Sequence, residues 1–232
     1  MTTRVLALVL VVLIVINVWG HRAPRRAQLV TGPLAAVVLL LIGRVGGLSW
    51  GQLGLARADL ARGALSAAVS VAVVAVVYLV LVAIPPTRVL FRDTRYQVGM
   101  RSALHTSVVT VPLSTVVFEE CAFRGVLWGL LARDLGVGYA TAMSALLFGL
   151  WHVLPALDLA RSNTALQGQR ESGRSRAVLT VLATVAFTTV AGVVLAELRR
   201  RSGSLLAPTG LHWATNGMGV LAAARVWAIS SR

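Results

Sequence analysis

The chain has 232 residues, of which 57% are hydrophobic and 13% charged, and its mean hydropathy is +0.79. A soluble domain carries about 25% charged residues, so this composition excludes an ordinary soluble globular protein and predicts an all-α, polytopic transmembrane helical bundle. The net charge of +14 comes from arginine alone, and the single cysteine, Cys121, excludes an intrachain disulfide and Cys-rich metal spacing.

In chain order, the first apolar run covers about 5–20 behind Arg4. It resembles a signal peptide, but no small-residue cleavage site follows, so it reads as a retained span. HRAPRR (21–26) is a basic joint, and a second span covers about 29–48. The segment 50–63, WGQLGLARADLARG, mixes leucines with Arg57, Asp59 and Arg62 and suits a short interfacial amphipathic helix. A third span, about 64–84, ends at Pro85-Pro86, which forbid a continued regular helix. After an arginine-rich joint, span four covers about 104–132 and span five about 137–155. A polar joint at 158–176 precedes span six, about 177–197, and span seven, about 204–228, follows Arg199-Arg200-Arg201.

The expectation is thus seven to eight spans: N-terminal spans over 1–49 and a core over 50–228, within one membrane domain. The arginines lie mainly in the joints, where they read as topology signals and headgroup contacts, not as a nucleic-acid surface. Alternating sides puts the arginine-richer joints 21–26, 88–101 and 161–176 on one face, which the positive-inside rule makes cytoplasmic. The triple arginine at 199–201 argues for the other face.

Six of the eight acids fall in joints or at span ends; only Glu119 and Glu120, in FEECAFRG (118–125), lie deep in a span. A charge at the bilayer centre costs at least ~2.5–3.5 kcal/mol, so such residues point to function. Glu120 and Arg124 are i,i+4 with the acid first, the favourable order for a pair. Glu119 points about 140° away from Arg124, which leaves it free for chemistry. The alternative is one structural cluster of all three. His21 and His105 sit at span edges and read as solvated residues.

His152 and His212 lie within spans five and seven. Glu119 precedes the 133–136 turn by about fourteen residues and His152 follows it by about sixteen, so their depths agree within about a turn. His212 and Asn216 are i,i+4 and share a face. Glu119, His152, His212 and Asn216 are therefore expected to converge in one polar cavity. A buried glutamate beside a histidine suits general-base activation of water, and a His–Asn pair suits an oxyanion. Water attack on an amide fits these parts. No Ser elbow is present, and Cys121 beside two acids is a poor nucleophile. Glu119, His152 and His212 also make a possible zinc set with an open position, so a metal-bound and a glutamate-activated water both remain open.

Three blocks resemble one known family, the CAAX proteases and bacteriocin-processing enzymes (CPBP), also called the type II CAAX prenyl endopeptidase or Abi family. They are EExxxR, here Glu119-Glu120-Cys-Ala-Phe-Arg124; FxxxH, here Phe148 to His152; and HxxxN, here His212 to Asn216, preceded by GSLLAP (203–208). All three occur in order on successive apolar segments, and the resemblance covers about 50–220. It implies an intramembrane endopeptidase in which Glu119 and His152 activate water and His212 and Asn216 stabilise the oxyanion. Glu120, Arg124 and Phe148 would shape the site, with zinc or no metal at all.

The substrate implied is a membrane-associated protein or peptide, and the partner surface is the lipid bilayer, with no role for nucleic acid. The arginine-only, Ala/Val-rich composition suggests a bacterial cytoplasmic membrane, where prenylated tails are not expected. Two other readings compete: a non-proteolytic scaffold or immunity protein, and a carrier using the two glutamates. The intact set of four polar residues counts against the first, and the absence of repeat symmetry against the second.

Overall fold

The computed structural model describes residues 2–162 and 173–230, and among these every regular element is a helix. The first two helices, α1 (Thr2–Arg22) and α2 (Arg25–Val45), turn at Pro24, whose fixed φ suits the entry to α2. The next, α3 (Leu60–Ala83), stops where Pro85 and Pro86 remove the N–H groups a further turn would need. One long helix, α4 (Met100–Leu135), carries the acidic block. After Gly136, α5 (Val137–Trp151) and α6 (Val153–Ser162) form a nearly continuous rod broken at His152. The rest comprises α7 (Gly173–Ser202) and α8 (206–230), the latter widened by a π turn at Ala214–Met218.

Six helices are long and apolar enough to cross a bilayer: α1, α2, α3 with its leading turn, α4, α5 with part of α6, and α7. The seventh expected span, α8, is a continuous helix but is not among the six. Much of the expected joint 158–176 lies outside the described residues. Where it is described, α6 and α7 enter it from either end.

The expected amphipathic helix at 50–63 does not form. Residues 46–56 make a looped segment that leads through a 3-10 turn, Arg57–Asp59, straight into α3. Gly47 and Gly54 adopt φ of +87° and +80°, a conformation open to glycine and closed to a regular helix. Leu48 and Leu53 are fully buried, so the loop drops its leucines into the core instead of laying them on a membrane surface. Arg199 holds it there: Nη2 donates to Gly51 O at 2.9 Å and Gln52 O at 3.0 Å. The first of the three arginines is therefore a buried structural group. Arg200 and Arg201 instead pair with Glu197, at 2.7 and 2.5 Å.

The main core joins Val9 and Leu13 of α1, Leu39 of α2, and Phe123 and Leu127 of α4 with Phe148 of α5. Close backbone approach brings α2 onto α4: a methyl group at Gly32 would stand 2.5 Å from Leu113 O. Small residues at such crossings let helices meet without lipid between them. Elsewhere α7 packs on α5 and α6, and α8 packs on α3.

Candidate active site

The acidic block sits where α4 departs from regular geometry. Glu119 ends an α-helical turn and Glu120 opens a π-helical stretch, Glu120–Leu127. Such widened turns occur mostly at functional sites, because they re-aim side chains at the cost of regular backbone bonding. Pro112 opens another widened turn, Pro112–Val116, one turn earlier.

Arg124 is completely buried and Glu120 is 1% exposed. Arg124 Nη1 donates to Glu120 Oε1 at 3.0 Å. Its guanidinium carbon also lies 3.9 Å from the centre of the Phe148 ring, a cation–π contact in a desolvated site. The same ring meets His152 at 4.6 Å and His212 at 5.8 Å, both edge-on. Phe148 is thus the apolar hub around which the charged groups are arranged.

His212, on α8, bridges the two acids. Its Nδ1 is 2.7 Å from Glu120 Oε1, and its Nε2 is 3.7 Å from Glu119 Oε2. A carboxylate accepts, so Nδ1 carries the hydrogen. Nε2 then faces Glu119. That carboxylate is 5% exposed, and its Oε1 accepts from Trp151 Nε1 at 2.9 Å. Its Oε2 has no hydrogen-bond partner among the described residues. Glu120 Oε2 is likewise buried and unpaired, but of the two acids it is Glu119 that lines a described cavity.

The structure does not bring all four sequence-derived residues into one polar cavity. His152, His212 and Asn216 line a largely apolar cavity of about 420 Å³ bounded by Phe187, Ala191 and Val194 of α7. Glu119 instead lines a second, more polar cavity of about 390 Å³, together with Asn17, Gln28, Thr31, Ser114 and Trp151. The Glu119–His212 contact is the point at which the two cavities approach. His152 makes its described hydrogen bond to Phe148 O, at 2.7 Å from Nδ1, and none to Glu119. The carbonyl accepts, so Nδ1 again carries the hydrogen and Nε2 is left over. Asn216 is exposed, one turn beyond His212 across the π turn. Tyr78 steadies that turn by donating from its hydroxyl to Thr215 O at 3.0 Å.

Among the described residues no group of three or more His, Cys, Asp or Glu side chains is placed to hold a metal ion. Glu119 and His212 approach each other, but His152 does not complete a set with them.

Sequence reasoning missed two residues. Trp151 sits inside the FxxxH block, and its indole is the donor to Glu119. Asn17 is the lone amide in the apolar run of α1, and Nδ2 donates to Trp151 O at 3.0 Å. A single amide in an apolar span was the available signal, since buried polar groups require partners.

Residues 101–218, just over half of the chain, match the family model described as type II CAAX prenyl endopeptidase Rce1-like. No curated protein and no solved structure matches the chain. The matched segment contains all three motif blocks, whereas α1, α2 and α3 precede it.

Proposed function

The chain belongs to the Rce1-like type II CAAX prenyl endopeptidase family, an integral-membrane protease family, and on that premise we propose that it hydrolyses a peptide bond of a membrane-associated substrate at the Glu119–His212 site. One observation carries the reading: Glu119 Oε2 is buried, makes no hydrogen bond among the described residues and faces His212 Nε2 at 3.7 Å. Glu119 is the general base. It takes a proton from water as the water oxygen adds to the scissile carbonyl. His212 and Asn216, which line one cavity, form the oxyanion site: Asn216 donates from Nδ2, and His212 donates from Nε2 in its doubly protonated form, its Nδ1 hydrogen staying on Glu120. Collapse breaks the C–N bond, and the proton held by Glu119 passes to the departing nitrogen.

His152 shares the cavity wall with the oxyanion pair, and its free Nε2 is available to the water or to the leaving amine. Glu120 and Arg124 hold His212 Nδ1 in its tautomer, as an orienting carboxylate does for a catalytic histidine elsewhere. The apolar wall from α7 suits a substrate that arrives from the lipid phase. The cellular setting we assign is a bacterial cytoplasmic membrane, from composition alone.

The test is cleavage of a library of membrane-associated peptides by the purified, reconstituted protein. Glu119→Gln lowers kcat by about 10²–10⁴-fold, the range for loss of a general base. Asn216→Ala lowers it by about 10²–10³-fold, the range for loss of one oxyanion donor. Equal behaviour of wild type, Glu119→Gln and His152→Ala sinks the protease reading in favour of a scaffold.

A further inference from the structure

Trp151 ends α5, and its carbonyl has no helical partner for a specific reason. In an unbroken helix the N–H of residue 155 would bond to the carbonyl of residue 151, but residue 155 is proline and has no N–H. The rod tightens at His152, whose N–H bonds to Gly149 O at 3.0 Å, and resumes with Ala156 N bonding to His152 O at 2.9 Å. Asn17 of α1 fills the place left at Trp151 O, donating from Nδ2 at 3.0 Å. The indole of the same tryptophan donates to Glu119 Oε1 at 2.9 Å, with its ring held by Phe118 at 5.6 Å and Phe123 at 5.7 Å. An unbroken chain of contacts therefore runs from the first helix to the proposed base.

We propose that Asn17 and Trp151 are positioning residues of the active site, and that α1, which lies outside the family-matched segment, is a working part of the catalytic unit. The inference rests on the reading of Glu119 as base. Trp151 occupies one carboxylate oxygen and so decides which of the two faces His212. Asn17 fixes Trp151 by satisfying the carbonyl that Pro155 orphans. Asn17 and Trp151 also line the polar cavity that ends on Glu119, so water reaching the base passes between α1 and the core.

Two readouts test this. In kinetics, Trp151→Phe keeps the ring and removes the donor, and Asn17→Asp keeps the shape and removes the donor. Each lowers kcat about 10- to 100-fold, the effect expected of a base displaced by an ångström or so. KM stays within about 2-fold, because the lost interaction serves the transition state and not substrate binding. Asn17→Gln, which retains the amide donor, recovers much of the rate. The second readout needs no activity. In ¹⁵N-labelled protein in detergent micelles, the Trp151 indole N–H resonance, assigned by its disappearance in Trp151→Phe, shifts in both Glu119→Ala and Asn17→Asp. The Trp213 indole, which donates to Ser107 O, stays in place as the control. A Trp151→Phe enzyme with wild-type kcat, or a Trp151 indole resonance indifferent to Asn17, overturns the proposal. If the wild type cleaves nothing, the protease reading fails and the resonance alone decides whether Asn17 positions Trp151 against Glu119.

Discussion

His212 Nδ1 donates to Glu120 Oε1 across 2.7 Å, and so joins two motif blocks that lie 92 positions apart. The same oxygen accepts from Arg124 Nη1 at 3.0 Å. One carboxylate oxygen therefore ties α8 to α4 and balances a guanidinium that has no access to solvent.

That arrangement makes Glu120 and Arg124 the fragile members of the cluster. Removing one partner of a buried ion pair costs about 3–5 kcal/mol, because the other charge is left uncompensated. Arg124→Ala and Glu120→Gln are each expected to destabilise the protein in this range. Glu119→Gln costs far less, since the amide oxygen still accepts from Trp151 and Oε2 makes no hydrogen bond among the described residues. Unfolding midpoints in detergent for the three variants check the ranking. Glu119→Gln as the least stable of them would contradict the division between a structural and a chemical carboxylate.

Part of this site was legible in the sequence. The Glu120–Arg124 contact follows from i,i+4 spacing with the acid first, and the widened turn that begins at Glu120 preserves it. The angular argument that set Glu119 apart from Arg124 placed no partner on it, because Trp151 and His212 reach it from other helices. Depth matched Glu119 with His152, yet depth along a helix says nothing about facing. Phe148 O accepts the hydrogen bond from His152 Nδ1, and the ring lines the other cavity. The amphipathic helix expected at 50–63 fails for a related reason. Leu53, Leu55 and Leu60 alternate there with Arg57, Asp59 and Arg62, but the positive φ at Gly54 is a property of backbone that hydropathy does not carry.

Arg199 offers a test of the loop at 46–56. Its Nη2 serves two backbone carbonyls, and its guanidinium lies 5.5 Å from the Trp128 ring centre. Arg199→Ala leaves Gln52 O without this donor, at about 1–3 kcal/mol where it stays dry, while Gly51 O keeps its bond from Gly54 N at 2.9 Å. Gly54→Ala attacks the same contact from the other side: its Cβ would fall 2.4 Å from Arg199 Nε, at a φ that alanine resists. Both variants should speed hydrogen exchange at 48–55. The double variant should be less destabilised than the two single effects added together, because the clash disappears with the arginine. Strict additivity would show that Arg199 and Gly54 act independently.

Metal dependence has a similarly direct check. Because His152 does not gather with Glu119 and His212 into a metal-binding group among the described residues, turnover is expected to survive metal depletion. The measurement is the cleavage rate after chelation, with residual zinc quantified in the same sample. Loss of activity that returns on adding zinc would show that these side chains regroup around an ion.

The apolar cavity gives the last prediction. His152, His212 and Asn216 all open onto it, and its far wall is α7, where Phe187 and Val190 are 74% and 65% exposed. Exposed side chains on a membrane-spanning helix face lipid, so the cavity stands beside the hydrocarbon and suits the apolar part of a substrate. Ala191 lines it and carries no polar group of the site. Ala191→Phe should therefore occupy substrate space while leaving the Glu119–His212 geometry in place. Lost binding that is common to ground and transition states raises KM with kcat unchanged. An increase of roughly 10-fold or more in KM corresponds to at least ~1.4 kcal/mol of binding. A substrate with a shorter apolar segment should suffer less, since it needs less of the cavity. If Ala191→Phe instead lowers kcat and spares KM, the substrate reaches Glu119 by the polar cavity beside α1, and the wall on α7 serves packing alone.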